Sequence, residues 1–165
     1  MKKLIFVRHG KAEDLSPELS DFERSLTTRG KFISKRMARK LMEKEDSPGI
    51  ILTSPAFRAL ETALIFMGEF RIKSETIVIE SRLYFKLSNS NFHEILAVLN
   101  DDSDTVTLFG HNPSFSEIAN SLCKEGCGFL PKCGVAGIAF NVKKWSEIRP
   151  SSGKLEYFLK PDKII

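Results

Sequence analysis

The sequence lacks most features of secreted, membrane-spanning and metal-binding proteins. Its 165 residues include only three cysteines. These are Cys123, Cys127 and Cys133, and their odd number and spacing match neither a disulfide framework nor a paired zinc motif. The first apolar run has four residues before Arg8, which is too short for a signal-peptide core or a membrane span. We therefore expect a cytoplasmic protein with reduced thiols and no membrane partner.

Basic residues are scattered along the chain and form no long run. The 25 Lys and Arg residues are interleaved with 21 Asp and Glu residues, which gives a net charge of +4 and a pI near 9.0. Because the chain has no long basic segment and no recognisable nucleic-acid-binding motif, we expect no nucleic-acid partner. The excess of basic over acidic residues indicates a mild attraction for anions. The chain also has no internal repeat, low-complexity tract or linker. Its length suits one domain over residues 1–165.

Runs typical of strands alternate with runs typical of helices. This alternation predicts an α/β fold with a mostly parallel sheet. The last two strands are joined by residues 143–153, which leave no room for a crossover helix, so we expect these two strands to be antiparallel. The predicted strands are 3–7, 49–53, 76–79, 105–109, 135–142 and 154–159, and the predicted helices are 28–44, 55–70, 92–99 and 114–123.

Polar residues follow three of the four strands that precede helices. In a parallel sheet these strand ends share one edge, so their side chains converge on one crevice. Two imidazoles and two guanidinium groups are brought together in this way. The three segments are Arg8-His9-Gly10, Ser54 to Arg58, and Gly110-His111-Asn112-Pro113.

This set of side chains is suited to phosphoryl chemistry. Guanidinium forks match the oxygens of a phosphoryl group, and Arg58 lies in the first turn of a helix, where the dipole also attracts anions. An imidazole fixed in one tautomer can attack phosphorus, so His9 is the candidate nucleophile. His111 and the two arginines would then surround the equatorial oxygens. No metal or other cofactor is required.

Two longer polar segments border the predicted crevice. Residues 13–24 follow Arg-His-Gly and are a candidate lid, and residues 84–91 are similarly placed. Most of the thirteen Phe residues are expected in the core. Four aromatic residues beside the site segments are candidates for substrate contact: Phe22, Phe57, Tyr84 and Phe115.

These segments resemble the histidine phosphatase superfamily, also called phosphoglycerate-mutase-like, and within it the short SixA-type phosphohistidine phosphatases. The resemblance spans nearly the whole chain. The second motif, the chain length and Asn112-Pro113 point to the short subgroup. The matching segments are Leu4 to Gly10, Asp21 to Gly30 (DFERSLTTRG), Thr53 to Ala63 (TSPAFRALETA), and Gly110 to Pro113.

The resemblance implies a single three-layer α/β/α domain whose sheet has one antiparallel strand. It also implies that His9 is the nucleophile and that Arg8, Arg58 and His111 form the phosphate pocket. Ser54 would support that pocket. The implied substrate is a phosphorylated protein, such as a histidine phosphotransfer domain, or a small phosphorylated molecule. We expect a monomer.

A proton donor for the leaving group is harder to identify. Larger members of the superfamily carry such a carboxylate, and Glu80, just past the third strand, is the nearest candidate by position. Glu13, Asp14 and Asp21 in the polar loop are alternatives. A phosphohistidine has a reactive P–N bond and needs less help from an acid. Because the sequence does not single out one residue as the acid, it favours a phosphoramidate substrate. The chain also has no large insertion to cover the site, which favours a protein substrate.

Three other functions remain open from the sequence. A phosphatase for small phosphoesters or phosphoramidates would use the same pocket. A mutase would need additional cover to retain its product, and this chain lacks it. A non-catalytic phospho-binding module would bind through the same four residues, although a nucleophilic histidine gives no advantage to such a module.

Overall fold

A six-stranded sheet forms the centre of the structure, a computed structural model that describes residues 1–163. The strand order is β3-β2-β4-β1-β5-β6. Strand β5 runs antiparallel to its neighbours β1 and β6, and the other adjacent pairs are parallel. In chain order the strands are β1 Lys2–Arg8, β2 Ile50–Thr53, β3 Val78–Ile79, β4 Thr105–Gly110, β5 Val135–Phe140 and β6 Lys154–Leu159. The predicted mostly parallel sheet with one antiparallel strand is confirmed.

Helices cover both faces of this sheet. They are α1 Thr28–Met42, α2 Phe57–Phe70, α3 Asn89–Ala97 and α4 Ser114–Leu122. Helices α1 and α2 pack on the face that contains Ile5 and Val7, and α3 and α4 pack on the face that contains Leu4 and Phe6. Successive residues of a strand point to opposite faces, so β1 is apolar throughout its middle and buried on both sides. This is the predicted α/β/α arrangement.

The element boundaries differ from the predictions where local hydrogen bonds decide them. Helix α2 begins two residues later than predicted, because Ser54 to Ala56 form the turn that leaves β2. Helix α3 begins three residues earlier, because the Ser88 side chain accepts a hydrogen bond from the Asn91 N–H. Strand β3 is shorter than predicted, since a 3-10 turn occupies Ser74–Thr76. The last two residues of the predicted domain 1–165 lie outside the described residues.

The sheet brings the three polar segments to one edge. Arg8 pairs with Gly110 across β1 and β4, and Thr53 pairs with Phe109 across β2 and β4. The loop before β5 ends at the same edge, where the Gly134 carbonyl accepts a hydrogen bond from the Arg8 N–H. Four chain segments therefore meet there. Within residues 1–163, none of the helices is long and apolar enough to cross a membrane.

Candidate active site

His9 lies directly after β1 and is buried, with 8% of its surface exposed. Its backbone N–H donates to the Gly110 carbonyl, which continues the β1–β4 pairing for one more residue. Its ring Nδ1 lies 2.7 Å from the Gly10 carbonyl oxygen. A carbonyl oxygen only accepts hydrogen bonds, so Nδ1 carries the proton and Nε2 has a free lone pair. The Nε2 atom is therefore the nucleophilic nitrogen of this ring.

Glycines allow the chain after His9 to pass close to α1. The Gly10 N–H donates to Thr62 Oγ1 of α2 at 3.1 Å. A Cβ added to Gly30 of α1 would lie 2.1 Å from the Lys11 carbonyl oxygen, which no side chain permits. Both helices thus contact the residues that follow His9. This packing is the structural reason for the glycine at the end of the second motif, Gly30.

Arg58 lies in the first turn of α2 and is almost fully buried. Its Nη1 donates to the Asp21 carbonyl oxygen at 2.6 Å, and its Nη2 donates to Asp21 Oδ2 at 3.0 Å. The Thr62 hydroxyl that accepts from Gly10 donates in turn to the Arg58 carbonyl oxygen. Two fixed contacts on one side of the guanidinium therefore orient Arg58 beside His9.

Asp21 connects three side chains of the site. Its Oδ2 also accepts from the Tyr84 hydroxyl at 2.9 Å, and its Oδ1 accepts from the Nε and Nη2 of Arg24. Burial alone would raise the pKa of the Asp21 carboxyl, but the hydrogen bonds from Tyr84 and Arg58 and the Arg58 charge lower it below its ordinary value. Asp21 is therefore ionised at neutral pH and balances part of the positive charge.

His111 follows β4 and lies against His9, with 5.1 Å between the two ring centroids. Its Nε2 lies 2.8 Å from Ser54 Oγ. The Ser54 hydroxyl accepts a hydrogen bond from the Ala56 N–H, so the turn after β2 orients the His111 ring. Burial and the nearby Arg58 charge lower the pKa of His111 to about 4. Both imidazoles of the site are neutral at physiological pH.

Arg8 is the last residue of β1 and extends toward the loop before β5. Its Nη1 donates to the Leu130 carbonyl oxygen at 3.1 Å, and its guanidinium carbon lies 5.5 Å from the centre of the Phe129 ring. Burial lowers the pKa of Arg8, but a guanidinium starts from such a high value that it stays protonated. Arg8 thus supplies a second fixed positive charge to the site.

Three buried side-chain polar atoms among the described residues have no hydrogen-bond partner, and all three belong to this site. They are Nε of Arg8, Nε of Arg58 and Nδ1 of His111. Buried polar groups are nearly always hydrogen-bonded, because leaving one without a partner costs about 1–3 kcal/mol. Each of the three atoms belongs to a residue that lines the cavity beside His9.

A cavity of about 240 Å³ opens beside His9 and is lined by Arg8, Arg58 and His111. Its wall carries five cationic side chains and one carboxylate, that of Asp14. Burial is the main cause that lowers the pKa of His9, and the charges of Arg58 and Arg8 add to it, so that the pKa is about 3. The cavity therefore combines a neutral imidazole with a strongly positive wall. The lining residues are Arg8, His9, Lys11, Ala12, Asp14, Arg24, Arg58, His111, Asn112 and Lys132.

Most of the predicted site residues meet in this cavity. Arg8, His9, Arg58 and His111 all line it, and Ser54 lies behind His111. Glu80 does not line it: both carboxylate oxygens accept hydrogen bonds from Arg82, which lower the pKa of Glu80. That pairing opposes a role as proton donor.

The other residues proposed from the loop segments have different positions. Asp14 lines the cavity, and Glu13 accepts from the Ser25 N–H. Phe22 packs against Phe57 and Tyr84. Phe115 is buried against Phe6 in the core and does not reach the cavity, so its candidacy for substrate contact was wrong.

Sequence reasoning missed three cations of the cavity wall, namely Lys11, Arg24 and Lys132. Arg24 lies inside the second motif, and Lys11 follows Arg-His-Gly directly, so their positions in these segments were the available signal. Lys132 belongs to the loop before β5 and had no such signal. In the part of the chain that the structure describes, no group of three or more His, Cys, Asp or Glu residues is arranged to bind a metal ion.

The chain is similar to known proteins in its three-dimensional structure. No family model and no curated protein sequence matches the chain. A SixA protein from Agrobacterium tumefaciens superposes with a TM-score of 0.78 at 23% identity, covering 97% of this chain and 98% of that chain. The protein histidine phosphatase SixA complexed with tungstate gives 0.80 at 22% identity, covering 96% and 97%.

A more distant structure has the same fold. The mycobacterial glucosyl-3-phosphoglycerate phosphatase in complex with VO3 gives a TM-score of 0.64 at 13% identity, covering 95% of this chain and 98% of that chain. Identities this low show the fold alone. The chain therefore has the phosphoglycerate-mutase-like fold of the SixA histidine phosphatases.

Proposed function

We propose that the protein is a phosphatase that hydrolyses phosphohistidine on a protein through a covalent phosphohistidine intermediate on His9. The observation that carries this proposal is the single cavity that the guanidinium groups of Arg8 and Arg58 and the His111 ring line together with His9, whose Nε2 is free. A phosphoryl group supplies three equatorial oxygens to such donors. The tungstate and vanadium-oxide complexes of the proteins with this fold are consistent with an anion site.

The first step transfers the phosphoryl group to His9. The Nε2 lone pair attacks phosphorus, and the bond from phosphorus to the leaving nitrogen breaks on the opposite side. The Gly10 carbonyl keeps the proton on Nδ1, so the phosphorylated ring carries a positive charge. Arg8 and Arg58 neutralise the charge on the equatorial oxygens, and their positions change little because Leu130 and Asp21 already fix them.

The second step returns His9 to its starting state. Water attacks phosphorus, the bond to Nε2 breaks, and the positively charged ring leaves as neutral imidazole. The attacking water must lose a proton in this step. The imidazole of the substrate, which departed in the first step, must gain one. Asp14 is the carboxylate on the cavity wall, so we assign the proton taken from the attacking water to Asp14, and the departing imidazole takes its proton from solvent.

The leaving group supports phosphohistidine over a phosphate monoester. Glu80 is paired with Arg82, and Asp21 is paired with Arg58, Arg24 and Tyr84, which lowers the pKa of each carboxyl. Neither carboxyl carries a proton at neutral pH. An alcohol leaving group needs a strong proton donor, whereas an imidazole leaves from a weaker P–N bond.

The test measures phosphate release with a chelator present and no added metal. The substrates are a phosphohistidine-bearing protein and a simple aryl phosphate. We expect release by the wild-type protein, a loss of about 10³-fold or more in His9→Ala, and no loss in His93→Ala, a matched change of a histidine outside the cavity. A preference for the aryl phosphate would support a small-molecule phosphatase. Phosphate binding without any turnover would support the phospho-binding module instead.

A further inference from the structure

Four phenylalanine side chains of the described chain are exposed, and three of them surround the candidate active site. Phe57, Phe85 and Phe129 are 40%, 66% and 68% exposed, and we call these three residues the aromatic rim. The fourth is Phe32 on α1, which is 55% exposed and does not line the cavity. Clusters of exposed apolar side chains on a soluble protein mark interaction sites more often than isolated ones do.

One side of the rim is continuous with the cavity through two further aromatic rings. The Tyr84 ring lies 5.8 Å from the His111 ring and 5.2 Å from the Phe85 ring, between centroids. Phe22 packs against Tyr84 at 5.4 Å and against Phe57 at 5.8 Å. An unbroken series of ring contacts therefore leads from the phosphoryl site to the exposed faces of Phe57 and Phe85.

The other side of the rim is formed by Phe129. Its ring stacks on the Arg8 guanidinium, and the carbonyl of the next residue, Leu130, accepts a hydrogen bond from Arg8. The Asn112 side chain donates to the same Leu130 carbonyl, so the backbone beside Phe129 is fixed from two directions. Phe129 is thus exposed at a defined position next to the cavity.

The rim extends beyond the reach of a small substrate. None of the three rim residues lines the cavity, and Phe85 is connected to it through Tyr84 and His111, so a small substrate held in the cavity does not need the rim. Large rigid side chains such as Phe contribute much of the binding energy at protein interfaces, because each removes about 150–250 Å² from water at little entropic cost. The cations of the cavity, Lys11, Arg24 and Lys132 among them, complement the charge of a phosphoryl group presented by a partner.

We propose that the aromatic rim is the docking surface for the substrate protein, and that it contacts apolar side chains next to the phosphorylated histidine of that protein. This inference rests on the proposed function. It assigns Phe85 and Phe129 as residues that determine specificity for a protein-borne phosphohistidine over the free amino acid.

The experiment compares hydrolysis of the same P–N bond in a protein and in a free amino acid. The substrates are a histidine phosphotransfer domain phosphorylated on its histidine and free 3-phosphohistidine. We expect Phe85→Ala to lower kcat/KM for the protein by tenfold or more, mainly through KM, and to leave kcat/KM for the free amino acid within twofold of wild type. The matched control, Phe32→Ala, should change neither value.

Equal losses on both substrates, or no loss on the protein, would overturn the proposal. A wild-type chain that is dimeric, and that becomes monomeric in Phe85→Ala, would also overturn it by assigning the rim to a second copy of this chain.

A binding measurement separates failure of the inference from failure of the proposed function. In a His9→Ala background, which cannot form the covalent intermediate, calorimetry with the phosphorylated domain should show tenfold weaker binding after the additional Phe85→Ala change than after Phe32→Ala. If wild type has no turnover but this difference is found, the proposed chemistry is wrong and the docking surface stands. If turnover is found without this difference, the docking surface is wrong.

Discussion

The ring Nδ1 of His9 lies 2.7 Å from the carbonyl oxygen of Gly10, its neighbour in the chain. The ring proposed as the nucleophile is therefore oriented by the backbone of its own strand end, and no carboxylate within residues 1–163 bonds to it. A carboxylate there would raise the basicity of the ring, whereas a carbonyl fixes the tautomer and leaves the ring neutral. The following predictions depend on this site and on the packing that supports it.

The low pKa of His9 has a consequence for stability. In the unfolded chain a histidine takes up a proton near pH 6.5, whereas burial keeps the folded His9 neutral down to about pH 3. Stability is thus unaffected above pH 6.5 and falls as the pH drops below it, by up to about 1.4 kcal/mol per pH unit. We expect the free energy of unfolding in urea to fall more steeply between pH 6 and 4.5 for wild type than for His9→Asn. Equal slopes would contradict the neutral, buried imidazole.

Arg58→Lys should weaken phosphate binding although it keeps the positive charge. A lysine cannot reproduce the planar pair of donors that binds Asp21 and holds the cationic group at the cavity wall. Because hydrogen bonds to charged groups contribute roughly 1.5–3 kcal/mol, we expect the inhibition constant of inorganic phosphate to rise about 10- to 100-fold. The control is Arg39→Lys, which changes an exposed arginine paired with Glu69. Unchanged inhibition in Arg58→Lys would show that charge alone matters.

Asp21→Ala should lower activity even though it removes a negative charge near an anion site. The substitution deprives Arg58 of one acceptor and the Tyr84 hydroxyl of the carboxylate to which it donates. We expect kcat/KM to fall about tenfold, equivalent to about 1.4 kcal/mol. Glu23→Ala is the control, since Glu23 lies in the same 3-10 turn and contacts Ser20. Higher activity in Asp21→Ala would mean that Asp21 competes with the substrate for Arg58.

Two helical glycines should respond in opposite ways to alanine. A Cβ on Gly30 would overlap the Lys11 carbonyl, so Gly30→Ala should destabilise the protein by on the order of 2 kcal/mol. A Cβ on Gly68 of α2 meets nothing within 4 Å, so Gly68→Ala should stabilise it by about 0.5–1 kcal/mol through helix propensity. Thermal unfolding of both variants provides the comparison. A stable Gly30→Ala protein would show that the segment after His9 does not require this close approach.

The sequence predicted the strand ends of the site because they depend on strong and regular signals. The apolar run from Leu4 to Val7 requires burial on both faces, and parallel neighbours then bring residues 8–10, 54–58 and 110–113 to one edge. The antiparallel pairing of β5 with β6 followed from the short connection between them, and the count of one antiparallel strand was implied by the resemblance. These inferences use only the hydrophobic periodicity, the lengths of the apolar runs and the lengths of the connecting segments. All three are read from local sequence.

The missed features depend on contacts between loops. Asp21 and Arg58 are 37 residues apart, and nothing in either segment indicates that they pair. Glu80 was proposed as the acid from its position after β3, but Arg82, two residues away, binds both of its oxygens. Lys132 reaches the cavity from a loop whose path is set by hydrogen bonds to Asn112 and Ser116. Such pairings become visible only when the tertiary structure is known.

Trapping of the phosphorylated enzyme tests the central claim most directly. The protein would be mixed with a ³²P-labelled phosphohistidine substrate, quenched in alkali within milliseconds and analysed for label bound to the chain. The account predicts label that is stable to alkali, labile to acid and located on His9, with none in His9→Ala and normal labelling in His93→Ala. Phosphate release by wild type without any label on His9 would contradict the covalent mechanism.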